Sequence, residues 1–171
     1  MRVFGSSGYL LSDARLEVRL VYTGFLVLAL VGMATVALFQ ATAIGPAPAQ
    51  IAAYFRGGER HGAMTFEKTF RELVELTHFH AFVMGLVYLV MAHLMVATSA
   101  SEAVKRAMII LALAGLVGDI VGVWLIRYVS GGFAYAQVLS WIAEWAGFST
   151  FVFYPLREMW FRDGRAAGTT D

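Results

Sequence analysis

Charge-free runs constrain this chain more than any other feature. No Asp, Glu, Lys or Arg occurs from Leu20 to Phe55, or from Leu76 to Ser101. Ala107 to Ile126 carries only Asp119, and Gly131 to Leu156 only Glu144. Each run reaches the roughly 20 residues with which a helix crosses about 30 Å of hydrocarbon. Within lipid, only helices and closed barrels satisfy the backbone internally. The sequence therefore predicts an all-α polytopic membrane protein. Its spans are expected at about 20–43, 73–98, 105–127 and 133–156, as an up-down bundle of transmembrane helices in a single membrane domain over 1–171. An extramembrane loop is expected at about 45–72.

Composition excludes the soluble alternative. The chain is 59% hydrophobic and 15% charged, against roughly 45–50% and 25% in soluble domains. A formal net charge of +1 gives no reason to expect a nucleic-acid partner. The absence of Cys removes disulfides, thiolate metal sites, Cys-held iron–sulfur clusters and covalently attached haem.

Ala41-Thr42-Ala43 resembles a signal-peptidase site, but the apolar run before it exceeds the roughly 7–15 residues of a signal core. An uncleaved span is expected. Basic residues near the helix ends set orientation. Arg2, Arg15, Arg19, Lys105, Arg106, Arg157, Arg162 and Arg165 fall on one side, and Arg56, Arg60, Lys68, Arg71 and Arg127 on the other. Both termini are then expected to be cytoplasmic. In the loop, Gly45-Pro46-Ala47-Pro48 stops the first helix and Arg56 to Gly62 reads as a turn. Thr65 is the expected cap of the second long helix, with Glu67 in its first turn. Glu67/Arg71, Lys68/Glu72 and Arg71/Glu75 are spaced to pair along it.

Ionisable groups deep in a span cost about 2.5–3.5 kcal/mol on insertion scales, so each implies a compensating partner. The second span carries His78, His80 and His93. On a helix, His78 and His93 lie about 60° apart and about 22 Å apart along the axis, in a stripe with Glu75, Phe82, Gly85 and Leu89. Paired histidines with a glycine between suit a flat macrocycle such as b-type haem. The other spans hold no histidine, and His61 lies in the loop. A second axial ligand would come from another copy of the chain, a partner subunit, or Met33 or Met108.

Three further readings stand beside haem. Glu75-x-x-His78 has the spacing used by di-iron bundles, and His78-Phe79-His80 with Met84 has ligand types that suit copper. The candidate metal ligands are thus Glu75, His78 and His80. Asp119, close to the level of His80, and Glu144, which sits deepest, could form a proton relay with His78 or His80 or surround a quinone head. Finally, all these groups could simply hydrogen-bond between helices. Ala114, Gly118 and Gly122 form a small-residue seam for close helix approach.

The stretch Gly45 to Leu94, with GPAPAQIAAYFRG, FEKTFRELVELTHFHAFVMG and AHL, resembles a group of small, uncharacterised bacterial inner-membrane proteins. They share a loop ending in E-L-x-E-x-T-H-x-H and a later histidine, matched here by Glu72, Glu75, Thr77, His78, His80 and His93. The resemblance implies a bacterial cytoplasmic membrane and points to the same residues, without choosing a function. The functional expectation is an electron-transfer subunit that binds b-type haem or quinone through the second span, in a homo-oligomer or with other membrane redox subunits. The alternatives are a non-catalytic assembly subunit without cofactor, and a small metal or proton transporter.

Overall fold

The computed structural model describes residues 9–60 and 63–162. Arg2, His61 and Arg165 lie outside the described residues. Four long helices run up and down. They are α1 (Leu16–Phe39), α3 (Phe70–Val96), α4 (Glu102–Tyr128) and α5 (Ala134–Trp160). A short α2 (Pro48–Arg56) and a hairpin of β1 (Gly58–Arg60) and β2 (Ala63–Thr65) fill the first connection. Three segments are long and apolar enough to cross a membrane: Leu16–Ile44, Phe70–Val96 and Glu102–Tyr128. α5 matches α3 and α4 in length but is more polar, because Gln137, Ser140 and Glu144 interrupt it.

The first connection differs from the sequence expectation. α2 starts at Pro48, where a proline fits a first helical turn, and Gln50 Oε1 accepts from the Ala47 N–H at 3.1 Å. Gly57, at φ +79°, ends α2 and turns the chain into β1. Thr65 does not cap a helix; it is the last residue of β2. The cap of α3 is Thr69, whose side chain accepts from the Glu72 N–H while Glu72 Oε2 accepts from the Thr69 N–H at 2.8 Å. Glu67 therefore precedes the helix and pairs with Arg127 of α4 at 2.7 Å, not with Arg71. The pairs Lys68–Glu72 (3.0 Å) and Arg71–Glu75 (2.8 Å) form as the spacing predicts.

These elements build a lid over one end of the bundle. Ile51 and Phe55 of α2 bury against Leu73, Val123, Ile126 and Trp141. Arg56 donates to the carbonyls of Ile126 and Arg127 at the end of α4. Trp124 donates to Thr77 at 2.8 Å, tying α4 to α3. At the other end, the Leu11 N–H donates to the Ala97 carbonyl at 2.9 Å and Trp160 donates to Thr23 at 2.9 Å. The described ends of the chain and the α3–α4 connection share this end.

α4 and α5 form the tightest pair. The seam is Ala112, Gly115, Gly118 and Gly122, not the expected row through Ala114, which is exposed. A Cβ on Gly115 would lie 2.5 Å from the backbone nitrogen of Glu144, and one on Gly147 would lie 2.5 Å from Ala112 Cβ. Neither contact leaves room for a side chain. α1 is the opposite case: only 6% of its most apolar stretch is buried. Its inward face, from Tyr22 to Met33, packs on the core around buried Leu26, and the rest of its surface is largely exposed.

Candidate functional site

Three polar residues meet at one level of the bundle. His80 is ten residues into α3 and Glu144 ten into α5, while Asp119 is nine before the end of α4. At 1.5 Å per residue, all three sit about 14–15 Å from the lid ends of their helices. His80 and Glu144 both lie within electrostatic reach of Asp119.

Asp119 is held by α5. Its Oδ1 accepts from Trp141 Nε1 at 2.7 Å and from Gln137 Nε2 at 2.5 Å. Gln137 is fully buried, and its Oε1 finds no donor among the described residues. Asp119 thus binds α4 to α5 by hydrogen bonds just where the glycine seam brings the two backbones together.

His80 and Glu144 face the other way, into a cavity of about 530 Å³ between α1, α3 and α5. Its wall is apolar, with Phe25, Met33, Val83, Met84, Val87 and Phe148 among the contributors. Three polar side chains, His80, Glu144 and Gln40, gather toward its lid side with Trp145. Gln40 begins the π-helical turn Gln40–Ile44 that ends α1, and its Oε1 accepts from Trp145 Nε1 at 3.3 Å. Such turns recur at functional sites. Leu28 and Phe79 line the cavity and are exposed, so it opens on the lateral surface.

The His80 ring is oriented by its own helix. Nδ1 lies 3.2 Å from the Leu76 carbonyl. A carbonyl only accepts, so in neutral imidazole this contact assigns the proton to Nδ1 and leaves Nε2 a bare acceptor. Nε2 is then suited to take a proton or to bind an electrophilic centre.

The other sequence candidates go elsewhere. His78 and His93 lie on the exposed face of α3, with the His78 ring 5.1 Å from that of Phe82. Glu75 is exposed and engaged with Arg71. Glu75, His78 and His80 do not converge, and among the described residues no three His, Asp or Glu side chains cluster to hold a metal ion. Met33 lines the cavity with His80, whereas Met108 lies outside it and accepts from Thr150 at 3.6 Å. Of α1, sequence reasoning singled out only Met33 as a candidate ligand and missed Gln40. An amide closing an apolar run was the available signal. Trp141 and Gln137, on the same helix as Glu144, serve Asp119.

No curated protein and no solved structure matches the chain. A family model for a transmembrane helical domain, Aq_1264_TM, matches residues 45–166. The match takes in the lid, the capping box of α3, His80, Asp119 and Glu144, and leaves out α1. By that match, which spans most of its length, the chain belongs to the Aq_1264_TM family of transmembrane helical domains.

Proposed function

We propose that this protein is an electron-transfer subunit of a bacterial cytoplasmic membrane that binds a quinone in the cavity between α1, α3 and α5. In this reading α5 crosses the membrane with the three more apolar helices, and both termini are cytoplasmic. The up-down course of α5 beside α4 and the greater number of basic residues expected at the terminal end support it.

One observation carries the proposal: a laterally open apolar cavity whose polar lining is His80, Glu144, Gln40 and Thr35, the last turned onto its own helix by donating to the Gly32 carbonyl at 2.7 Å. A quinone has a polar ring and a long apolar tail, and it arrives through lipid. The His80 Nε2 acceptor and the Glu144 carboxyl can exchange protons with the ring oxygens, while the Gln40 amide can donate to one of them. The aliphatic wall matches the tail.

Haem fits this cavity less well. Met33 and His80 could supply axial ligands, but no Lys or Arg lines the cavity to meet the two propionates. Haem held by His78 or His93 would need a second copy of the chain or a partner subunit against the exposed face of α3. The electron partner of a bound quinone would likewise be another membrane subunit.

Quinones quench tryptophan fluorescence, and Trp145 lines the cavity. Titration of the purified protein in nanodiscs with a ubiquinone or menaquinone analogue should give saturable quenching that is largely lost in Trp145→Phe. His80→Ala should weaken binding about tenfold, the effect of one charge-assisted or strong hydrogen bond. His78→Ala should leave binding unchanged. Non-saturable quenching, or equal affinities for the two histidine variants, would refute the proposal.

A further inference from the structure

A second cleft, of about 160 Å³, opens at the terminal end of the bundle between the α3–α4 connection and the end of α5. Ser99, Tyr154, Arg157, Glu158 and Arg162 line it. Its central group is Glu158, only 4% exposed. Glu158 Oε2 accepts from Ser99 Oγ at 2.7 Å, and Arg162 lies 3.9 Å away while donating to the same Ser99 hydroxyl. Glu158 Oε1 is buried and has no donor among the described residues.

A buried carboxylate oxygen without a donor is among the most costly arrangements in a protein interior. It calls for a donor, preferably a cationic one. The exposed Arg157 and Arg162 at the rim call for an anion. The cleft also has a defined depth. It adjoins the connection between two helices that are long and apolar enough to cross a membrane, so it lies at the level of lipid headgroups.

We propose that this cleft binds the headgroup of an aminophospholipid, with the primary ammonium on Glu158 and the phosphate on Arg157 and Arg162. A zwitterion whose two charges are joined by a two-carbon link meets both demands at once. A purely anionic headgroup would set its charge beside a buried carboxylate. A choline headgroup carries the positive charge but has no N–H to donate. The assignment is independent of the quinone reading, because the two cavities share no lining residue.

The test uses the full chain in neutral detergent, with lipid occupancy read by native mass spectrometry. Short-chain phosphatidylethanolamine should bind about tenfold more tightly than phosphatidylcholine or phosphatidylglycerol, as expected when a charge-assisted hydrogen bond is gained. Stepwise N-methylation of the ethanolamine should lower affinity at each step, a measurement that needs no variant. Glu158→Gln should abolish the preference for the primary amine, and Arg157→Gln should weaken all three lipids. Equal binding of the three lipids, no retained lipid, or an ethanolamine preference that survives Glu158→Gln would overturn the assignment.

Discussion

Asp119 offers the sharpest test of how the bundle is held together. Replacing it with Ala removes the shared acceptor of Trp141 Nε1 and Gln137 Nε2, at 2.7 and 2.5 Å. Both donors sit on α5, and both residues are buried. A buried donor left unsatisfied costs about 1–3 kcal/mol, so a soluble-protein estimate for two gives about 2–6 kcal/mol. A membrane reference state reduces this. Interhelical hydrogen bonds average about 0.6 kcal/mol there, with a maximum near 1.7, because separated helices still find partners. Two bonds to one carboxyl, taken from that average to that maximum, give about 1–3 kcal/mol for Asp119→Ala. Asp119→Asn keeps a carbonyl oxygen in the same place and should cost under about 1 kcal/mol. Reversible unfolding in mixed SDS and neutral-detergent micelles, followed by helical circular dichroism, measures both. In double-mutant cycles, Asp119→Ala should couple to Trp141→Phe and to Gln137→Ala, and much less to His80→Ala. The reasoning fails if Asp119→Ala lies within about 0.5 kcal/mol of the parent, the range of an ordinary surface change. It fails equally if Asn is as damaging as Ala.

The glycines should separate into two classes by what surrounds them. Gly147→Ala places a methyl 2.5 Å from Ala112 Cβ and 2.8 Å from its Cα, which forces α4 and α5 apart and should cost about 1–3 kcal/mol in the same micelle assay. Gly85→Ala meets nothing within 4 Å and should be neutral or stabilising by about 0.5–1 kcal/mol through helix propensity. Thr69→Ala removes one half of the capping box and should cost about 1 kcal/mol, seen as faster hydrogen exchange confined to the first turns of α3.

The long helices were legible because burial in lipid writes its requirement directly into composition. Nothing else excludes charge from Leu76 to Ser101. The first connection was less legible, because short elements there depend on tertiary partners. The Thr65 and Thr69 positions both carry a capping residue. Thr69 wins because Glu72 stands three residues on and closes the box, a signal present in the sequence. The hairpin that takes Thr65 into β2 is a product of Gly57 at positive φ. For the site, depth along the helices matched Asp119 to the level of His80 but set Glu144 deeper, whereas the three lie at one level in the structure. Periodicity could not tell which stripe of α3 faces inward. The stripe with His78 and His93 faces outward, and the one with His80, Met84 and Met91 faces the cavity. Apart from their histidines, and Glu75 at the outer end of the His78 stripe, both are built of uncharged residues. In lipid the outward face is as hydrophobic as the core, so the amphipathic signal that would settle this in water is erased.

The cavity itself follows from how unevenly the helices are joined. α4 and α5 meet through glycines and through Asp119, and no space remains between them. α1 has no such seam toward its neighbours. Gly24 and Gly32 have no atom within 4 Å of a built Cβ, so these small residues do not draw α1 onto another helix. Its attachments are few: Thr23 with Trp160, buried Leu26 with Phe25, Ala29 and Met33 on the core, and Gln40 with Trp145. Between them, Leu28, Gly32, Thr35 and Val36 border the open space. Water would not tolerate such an arrangement, since an unfilled apolar gap between loosely held helices collapses or floods. Lipid tolerates it, because acyl chains can fill a gap that an apolar ligand later occupies. Under the proposed function, a helix held at few points along its length would provide a lateral entrance for a quinone, and the polar cluster near Gln40 would set which end of it enters first.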